Sequence, residues 1–473
     1  MNLVKKYTSI AFSALFMFSS VVSSPVEAAK GFSYKVVGKN NKTAILTKIK
    51  TNEPLELKDP IDKYSIIEIA DNSSAYKQIR DRHMKKRIQN LATAAMLLPT
   101  IIGPAFVLGS RDAEKAFTTN ISYTGPKITS VNLPNCIKVG KNALVFCSQV
   151  KNIDLPKCES LAKGSLYGCT SITKLNIPKC KRINTFFDDT EGKFGSDYST
   201  YERYYHQDYS AFKELNAPSC IEVAEKSLCG FKALKKVNLK SCNIIGEGAF
   251  SECTALKTLD LPNCTHIYSS DRRNLRFKGG TFMGCEKLES VNAPELIYAG
   301  KSCFENCKSL NKIDFKNLKE IGHRFCHECR SLNTVLLDAC TCIPAKSFFY
   351  CESLVNVRIP NAVAVGDSAF SGDENIERMD LPNCNSVNEA SFRNCKKLCS
   401  FNASNLRSIG KSAFEGDESL VEVSFPNCRL IQQNAFRGCK NLKKITVPKS
   451  CKLEKDCLPY DLLIDQKLEI VRI

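Results

Sequence analysis

Three groups of residues in this chain could do chemistry by type and spacing. The largest is cysteine, 25 of 473 residues, an odd number that cannot all pair within one chain. Nine cysteines stand at 136, 158, 180, 220, 242, 264, 340, 384 and 428, and nine more occupy a slot eleven residues further along their own repeats. Such regularity makes columns, either of small buried hydrophobes or of disulfides. Neighbouring strands lie about 4.8 Å apart, within the Cα separation a disulfide accepts. Parallel side chains, however, do not bring Cβ atoms to the roughly 3.8 Å the bond prefers, so buried thiols are the expected state, although an exported setting would permit bridges. Cys229, Cys303, Cys326, Cys342, Cys399, Cys451 and Cys457 fall outside both columns and are the ones expected to pair or react. The second group, His323, Cys326, His327 and Cys329, has ligand types and C-x-x-C spacing that zinc would accept. Against zinc, Cys329 is a column cysteine, and Cys326 stands where Phe250 or Phe304 stands in other repeats. These side chains are therefore expected inside an apolar core, with no metal and no cofactor. The third group is aromatic and basic, and its meaning depends on the elements that carry it.

Those elements are repeats. Aligned on a Pro-x-Cys step, register positions fall at Cys136, Cys158, Cys180, Cys220, Cys242, Cys264, Leu296, Leu318, Cys340, Ala362, Cys384, Leu406, Cys428 and Ser450, 22 residues apart except for steps of 40 after Cys180 and 32 after Cys264. Fourteen units in one register are the mark of a solenoid. Within a unit, Ile128, Val131 and Leu133 followed by Cys136 give the spacing L-x-x-L-x-L-x-x-N/C. Alternation over Val131 and Leu133 predicts a short strand with one face inward. Proline, as at Pro134, ends it in ten of the fourteen units, because a residue without an N–H cannot extend the ladder. The chain is expected to turn at Val139 and Gly140 and re-enter the core through a small and a bulky residue, as in Ala249-Phe250, Ala369-Phe370, Ala413-Phe414 and Ala435-Phe436. The candidate core columns are Cys136, Cys158, Cys242, Cys264, Cys384 and Cys428 with Phe250, Phe370, Phe414 and Phe436.

The pattern Leu256-x-x-Leu259-x-Leu261-Pro262-x-Cys264, combined with Ile245-Gly246-x-x-Ala249-Phe250-x-x-Cys253, resembles the BspA-like class of leucine-rich repeats. The resemblance covers residues 128 to about 458. It implies a leucine-rich-repeat solenoid of the α/β horseshoe class, right-handed and curved, about 14–15 coils of 22 residues made mainly of short parallel β-strands with short helical or 3-10 turns. It also implies no catalytic activity, and roles in adhesion to host proteins, co-aggregation or attachment to cells. In a coil of this class the first cysteine slot points inward and bonds its neighbours' backbone. Because Leu296, Leu318, Ala362 and Leu406 also occupy it, the slot mostly asks for a small buried hydrophobe. Such families share scaffold residues rather than a ligand site, so no functional residue is carried over.

The two long steps are insertions near 184–205 and 268–280, both after the turn and before the small-large re-entry, hence on one rim of the solenoid. Loops gathered on a rim are where repeat proteins bind. Residues 186–209 carry Phe186, Phe187 and Tyr209 as well as the ligand-binding candidates Tyr198, Tyr201, Tyr204 and Tyr205; the second insertion supplies Arg272, Arg273, Arg276 and Lys278. Tyr and Arg combine apolar area with a hydrogen-bonding tip and dominate interface energetics, while solvated loops without a ligand are the competing reading. On the exposed strand face, the residue between the two inward positions is Asn or Asp in ten of fourteen units. That ladder suits either a broad shallow contact or simple solubility.

Residues 1–28 read as a signal peptide: Lys5 and Lys6, an apolar stretch from Ile10 to Val22, and small residues at Val26 and Ala28. A buried first helix or a membrane anchor is the alternative. Residues 29–127 form an N-terminal capping region in which 34–69 resembles a degenerate first coil. Within it, 91–109 is uncharged over 19 residues, which could span a bilayer in length, but Pro99, Gly103 and Pro104 interrupt it. A seal over the solenoid end is favoured over a membrane-contacting hairpin or a docking patch. The solenoid proper takes 128–458, and 459–473 is a C-terminal cap.

The net charge of +18 attracts anionic partners but is spread through the units with no recognised nucleic-acid module, so nucleic acid is not expected. Five histidines, and no nucleophile elbow, paired catalytic motif or glycine-rich phosphate loop, argue against an enzyme. The expected function is a non-enzymatic, secreted or cell-surface protein holding protein or glycan ligands, among them host matrix proteins, through its rim loops. The alternative is a structural surface-coat or matrix component with no specific soluble ligand.

Overall fold

The computed structural model describes residues 26–28, 32–38, 43–49, 55–58, 65–70, 127–187, 209–269 and 279–473. It is a parallel β-solenoid of about 15 turns of roughly 22 residues, and the chain forms two compact units, Met1–Cys169 and Thr170–Ile473.

In the first unit, Phe32–Gly38 pairs antiparallel with Val26–Ala28 on one side and with Thr43–Ile49 on the other. Thr43–Ile49 then pairs parallel with Ser65–Ile69, which pairs parallel with Lys138–Val139. Leu55–Lys58 lies parallel to Ile128–Asn132, so 55–69 supplies both strands of the coil stacked on 128–139.

In the second unit the first strands pair parallel and in register in runs of two or three coils, and the ladder is interrupted between Lys236–Asn238 and Thr258–Asp260, Ser290–Asn292 and Lys312–Asp314, Asn356–Arg358 and Arg378–Asp380, and Ser400–Asn402 and Glu422–Ser424. Leu175 faces Leu215 and Leu215 faces Val237, although an 18-residue insertion separates the first pair. Leu259 faces Val291 across the second insertion in the same way. The inward residue of each pair is apolar, so a one-residue slip would bring the outward lysines and glutamates into the core.

One feature differs from the sequence expectation. The stretch expected to be a plain turn at Val139 is a second two-residue strand, repeated as Ile183, Val223, Ile245, Ile267, Ala299 and Ile321 in successive register. Its backbone ladder continues into the corner, where Gly246 N donates to Val223 O and Gly300 N to Ile267 O, both at 2.8 Å. The return to the first strand is made of tight turns closed by 3-10-type bonds, Glu305 N to Ser302 O and Cys307 N to Phe304 O at 3.1 Å, with no α-helix among the described return segments. Alternate amides of the return segment donate to the next coil: Ser302 N to His323 O at 2.9 Å, Phe304 N to Phe325 O at 2.8 Å and Asn306 N to His327 O at 2.9 Å. Amides used in this way are not available for i−4 bonds. Left-handed residues such as Ser302 (φ 53°) and Asn306 (φ 61°) turn them toward the neighbour. Among the described residues the one α-helix is Tyr460–Ile464, followed by Glu469–Arg472, which pairs parallel with Lys444–Val447.

Between the two sheets and the turns lies the core. Phe250, Phe282 and Phe304 stack with centroids 5.4 Å apart, and Phe348, Phe370, Phe392, Phe414 and Phe436 continue the pile at 5.2–5.6 Å. The pile breaks at Phe325, which meets Phe304 and Phe348 edge-on at 83° and 85°. The cause is local: Phe325-Cys326 reverses the small-large order found in the other coils, so the ring enters from the neighbouring slot.

Candidate functional site

The surface with the most built polar structure is the outer face of the first strands. In each three-residue strand the middle side chain is directed inward, which leaves the flanking positions to solvent. Along Lys174–Asn176, Glu214–Asn216 and Lys236–Asn238 these flanking residues form two parallel ladders. In one, Glu214 lies between two lysines, 3.9 Å from Lys174 Nζ and 3.0 Å from Lys236 Nζ. The Lys236 hydrogen bond and the two positive charges hold the Glu214 carboxyl below its usual range. In the other, Asn216 Nδ2 donates to Asn176 Oδ1 at 2.6 Å, and Asn238 Nδ2 donates to Asn216 Oδ1 at 2.7 Å. A primary amide has two N–H donors and two acceptor lone pairs. Asn216 therefore holds one donor and one acceptor outside the ladder, in a shallow depression of about 420 Å³ lined by these six residues with Leu215 and Val237. The amide ladder recurs from Asn292 to Asp260 at 2.7 Å and from Asn402 to Asp380 at 2.8 Å. Chemically this face offers directed hydrogen bonds and alternating charge to an extended ligand, with no nucleophile or paired acid.

The two cysteine columns lie behind it and make different bonds. In the first column each thiol donates within its own coil, to the carbonyl two residues on: Cys220 to Glu222 O at 3.1 Å and Cys384 to Ser386 O at 3.2 Å. The slot also meets the backbone of the preceding coil, as expected, Cys220 at Ile183 and Cys384 at Val365. In the second column the thiol donates to the preceding coil, Cys307 to Phe282 O at 3.2 Å and Cys329 to Phe304 O at 2.9 Å. Burial pushes thiols of this column such as Cys169, Cys253 and Cys147 up, Cys147 to about 12, so these are poor nucleophiles. Asp373 and Asp417 occupy the second column in two coils. Their Oδ1 atoms accept from Cys351 N at 2.7 Å and Cys395 N at 2.8 Å, and their Oδ2 atoms are buried without a partner.

The His/Cys group is not brought together. Cys326 and Cys329 are fully buried, His323 is exposed, and His327 stacks on Phe349 at 5.1 Å. Among the described residues no cluster of three or more His, Cys, Asp or Glu could hold a metal ion. What lies beside His327 instead is a buried ion pair that sequence reasoning missed, with Glu305 accepting two hydrogen bonds from the Arg324 guanidinium. The pair is formed by residues 19 apart in adjacent coils and has no local motif.

Tyr198, Tyr201, Tyr204, Tyr205, Arg272, Arg273, Arg276 and Lys278 lie outside the described residues, as does 91–109. The roots of the first insertion are described, and they correct one part of the reading. Phe186 and Phe187 are buried, and Tyr209 donates its hydroxyl to Phe187 O at 3.1 Å. With Phe212 and Phe231 these rings form a clasp at 5.0–5.4 Å. They close the base of the loop rather than face a ligand, because the insertion interrupts the column and something bulky must fill its slot. Among the described residues no helix is long and apolar enough to cross a membrane.

The fold has relatives among solved structures. A leucine-rich repeat protein from Bacteroides ovatus aligns over 94% of this chain and 99% of its own, with 19% identity and a TM-score of 0.51. A leucine-rich cell surface protein from Faecalibacterium prausnitzii aligns over 96% of each chain with 16% identity and a TM-score of 0.35. The pneumococcal vaccine antigen PcpA aligns over 96% of this chain and all of its own, with 13% identity and a TM-score of 0.36. The first of these supports the fold alone. Among curated proteins none matches significantly by sequence. The family profile for the BspA type leucine rich repeat region matches residues 118–190, 189–274, 271–377 and 341–461, most of the chain. With its repeats matched from end to end of the solenoid, the chain belongs to the BspA-type leucine-rich repeat family.

Proposed function

We propose that this chain is an exported, non-catalytic binding scaffold that works at a cell surface and holds protein or glycan ligands. The observation that carries the reading is the double ladder on the first-strand face, where Asn176, Asn216 and Asn238 run beside Lys174, Glu214 and Lys236. Exposed ion pairs of this kind add little to stability, and the amides sit on a face that packing does not constrain, so the pattern is better accounted for by a ligand than by folding. The family supports a surface setting, and residues 1–28 have the make-up of an export signal. The tyrosine and arginine residues of the two insertions extend the same reading to the rim.

The test is a binding screen of the chain from residue 29 onward against immobilised matrix proteins and glycans. Three variants accompany it: Asn216→Ala with Asn238→Ala, excision of 188–204, and excision of 269–278. A ligand whose affinity falls about tenfold in at least one variant, about 1.4 kcal/mol, with melting unchanged, supports the proposal. Concentration-dependent self-assembly that ignores all three changes would instead favour a coat or matrix component.

A further inference from the structure

The second-strand sheet carries an aromatic group that the repeat does not call for. The outward residue of the second strand is Lys, Ser, Arg, Glu, Ile, Cys, Ala or Leu in the other coils, yet it is His266 and Tyr298 in two successive ones. The corner residue that follows is Gly, Ala, Asn, Pro, Gln or Glu elsewhere, yet it is Tyr268 after His266. His266 and Tyr298 are direct partners in the parallel ladder. The three rings stand 5.4, 5.8 and 6.3 Å apart, with planes 22°, 40° and 28° from parallel. Three rings in one pile would set the outer pair about twice the stacking distance apart, so the three form an offset cluster rather than a single pile. Tyr268 is 44% exposed.

The cluster is held in place. Ser269 Oγ accepts the Lys301 amide at 2.7 Å, and the Thr281 hydroxyl lies 3.2 Å from Tyr268 O. A Cβ on Gly300 would come within 2.4 Å of Ser269 Oγ, so glycine there lets the strand after Tyr268 lie flat on the next coil. The histidine is also oriented. Thr265 donates its one hydrogen to Asn243 Oδ1 at 2.5 Å and lies 2.8 Å from His266 Nδ1. With that hydrogen used, Nδ1 must be the donor, and Nε2 is left as an acceptor. The strand positions on either side are Ile244 and Glu320.

From an aromatic cluster edged by two phenol hydroxyls, an imidazole acceptor and a carboxylate, we infer that His266, Tyr268 and Tyr298 form a binding site for a neutral pyranose. The C–H face of the sugar ring packs on the aromatic faces, and its equatorial hydroxyls meet the polar rim. This site is on the opposite strand column from the amide ladder and does not depend on it.

The experiment titrates the chain from residue 29 onward with hexasaccharides of glucose, mannose, galactose and N-acetylglucosamine, with oligothymidylate and a proline-rich peptide as controls. With only five histidines, the His266 imidazole signal can be assigned by NMR from its loss in His266→Gln. The inference expects at least one hexasaccharide to shift that signal. Affinity should fall about tenfold in Tyr268→Ala or Tyr298→Ala, and Tyr268→Phe, which keeps the ring, should stay near the parent. It is overturned if no hexasaccharide moves the signal, if oligothymidylate or the peptide moves it instead, or if affinity ignores both alanine variants.

Discussion

The two cysteine columns use the same side chain for different purposes. In the first, the thiol donates to a carbonyl of its own coil that belongs to an outward strand residue, such as Arg182 O for Cys180 at 3.2 Å. These bonds are only part-buried, and Leu296, Leu318, Ala362 and Leu406 take the slot with no donor present. In the second, the thiol donates to a fully buried carbonyl of the preceding coil, as Cys439 does to Phe414 O at 3.1 Å. That column never takes an aliphatic residue; away from the clasp at Tyr209 and Phe231 it takes only Cys, Asp373 or Asp417. The first column closes a coil, and the second fastens one coil to the next. The penalty for a buried polar group left without a partner, about 1–3 kcal/mol, applies where the thiol is the donor to the buried carbonyl, as Cys253 is to Leu228 O at 3.2 Å.

The largest effect should come from the two aspartates, where the second column holds a carboxyl in place of a thiol. Burial pushes both carboxyls well above their ordinary range. A group that titrates higher folded than unfolded stabilises fully below the unfolded value, about pH 4, and that contribution is lost as pH rises through the folded value. Replacing both with the column residue, Asp373→Cys with Asp417→Cys, should leave stability near pH 4 almost unchanged. At pH 8 it should raise stability, and the gain from each replacement is about 1.4 kcal/mol for every pH unit by which burial had lifted that carboxyl's titration. Denaturant melts across pH would show the two curves diverging upward; parallel curves would mean that the carboxyls are ionised and solvated.

Next in size is the contrast between one thiol of each column. Cys253→Val strips the donor from buried Leu228 O and should lower stability by about 1–3 kcal/mol. Cys264→Val, whose thiol donates only to His266 O at 3.7 Å, should lie within about 1 kcal/mol of the parent. Equal losses would remove the distinction between the columns.

How far this was readable from the sequence depends on the distance over which each feature is encoded. The 22-residue period, the inward apolar row and the proline stops are written in every unit, and the parallel register of Leu175, Leu215 and Val237 follows them. The second strand was not legible because two residues, such as Lys138-Val139, are too few to show an alternation. The left-handed positions of the return segment were not legible, because they hold Ser302, Arg324, Lys346 and Tyr350 rather than a repeated glycine. Phe187 and Tyr209 looked like parts of a binding loop until the clasp placed them at its base. Of the candidate surfaces, the Asn and Asp ladder was visible in the sequence. The aromatic cluster was not, because Tyr298 is 32 residues from His266 and only the register across the second insertion joins them.

A smaller effect is kinetic. Cys342 and Cys399 are exposed, while the second-column thiols are fully buried. Brief alkylation of the folded protein should therefore label the first two and spare the second column, as peptide mass spectrometry would read; early labelling of Cys307 or Cys395 would show that the coils part readily.

The most direct test of coil-to-coil fastening by thiols is peptide mapping of the chain unfolded in denaturant with an alkylating agent and no reductant. The account predicts that Cys147, Cys169, Cys253, Cys285, Cys307, Cys329, Cys351, Cys395 and Cys439 are all recovered alkylated. Recovery of neighbours such as Cys285 and Cys307 as one disulfide-linked peptide would contradict it.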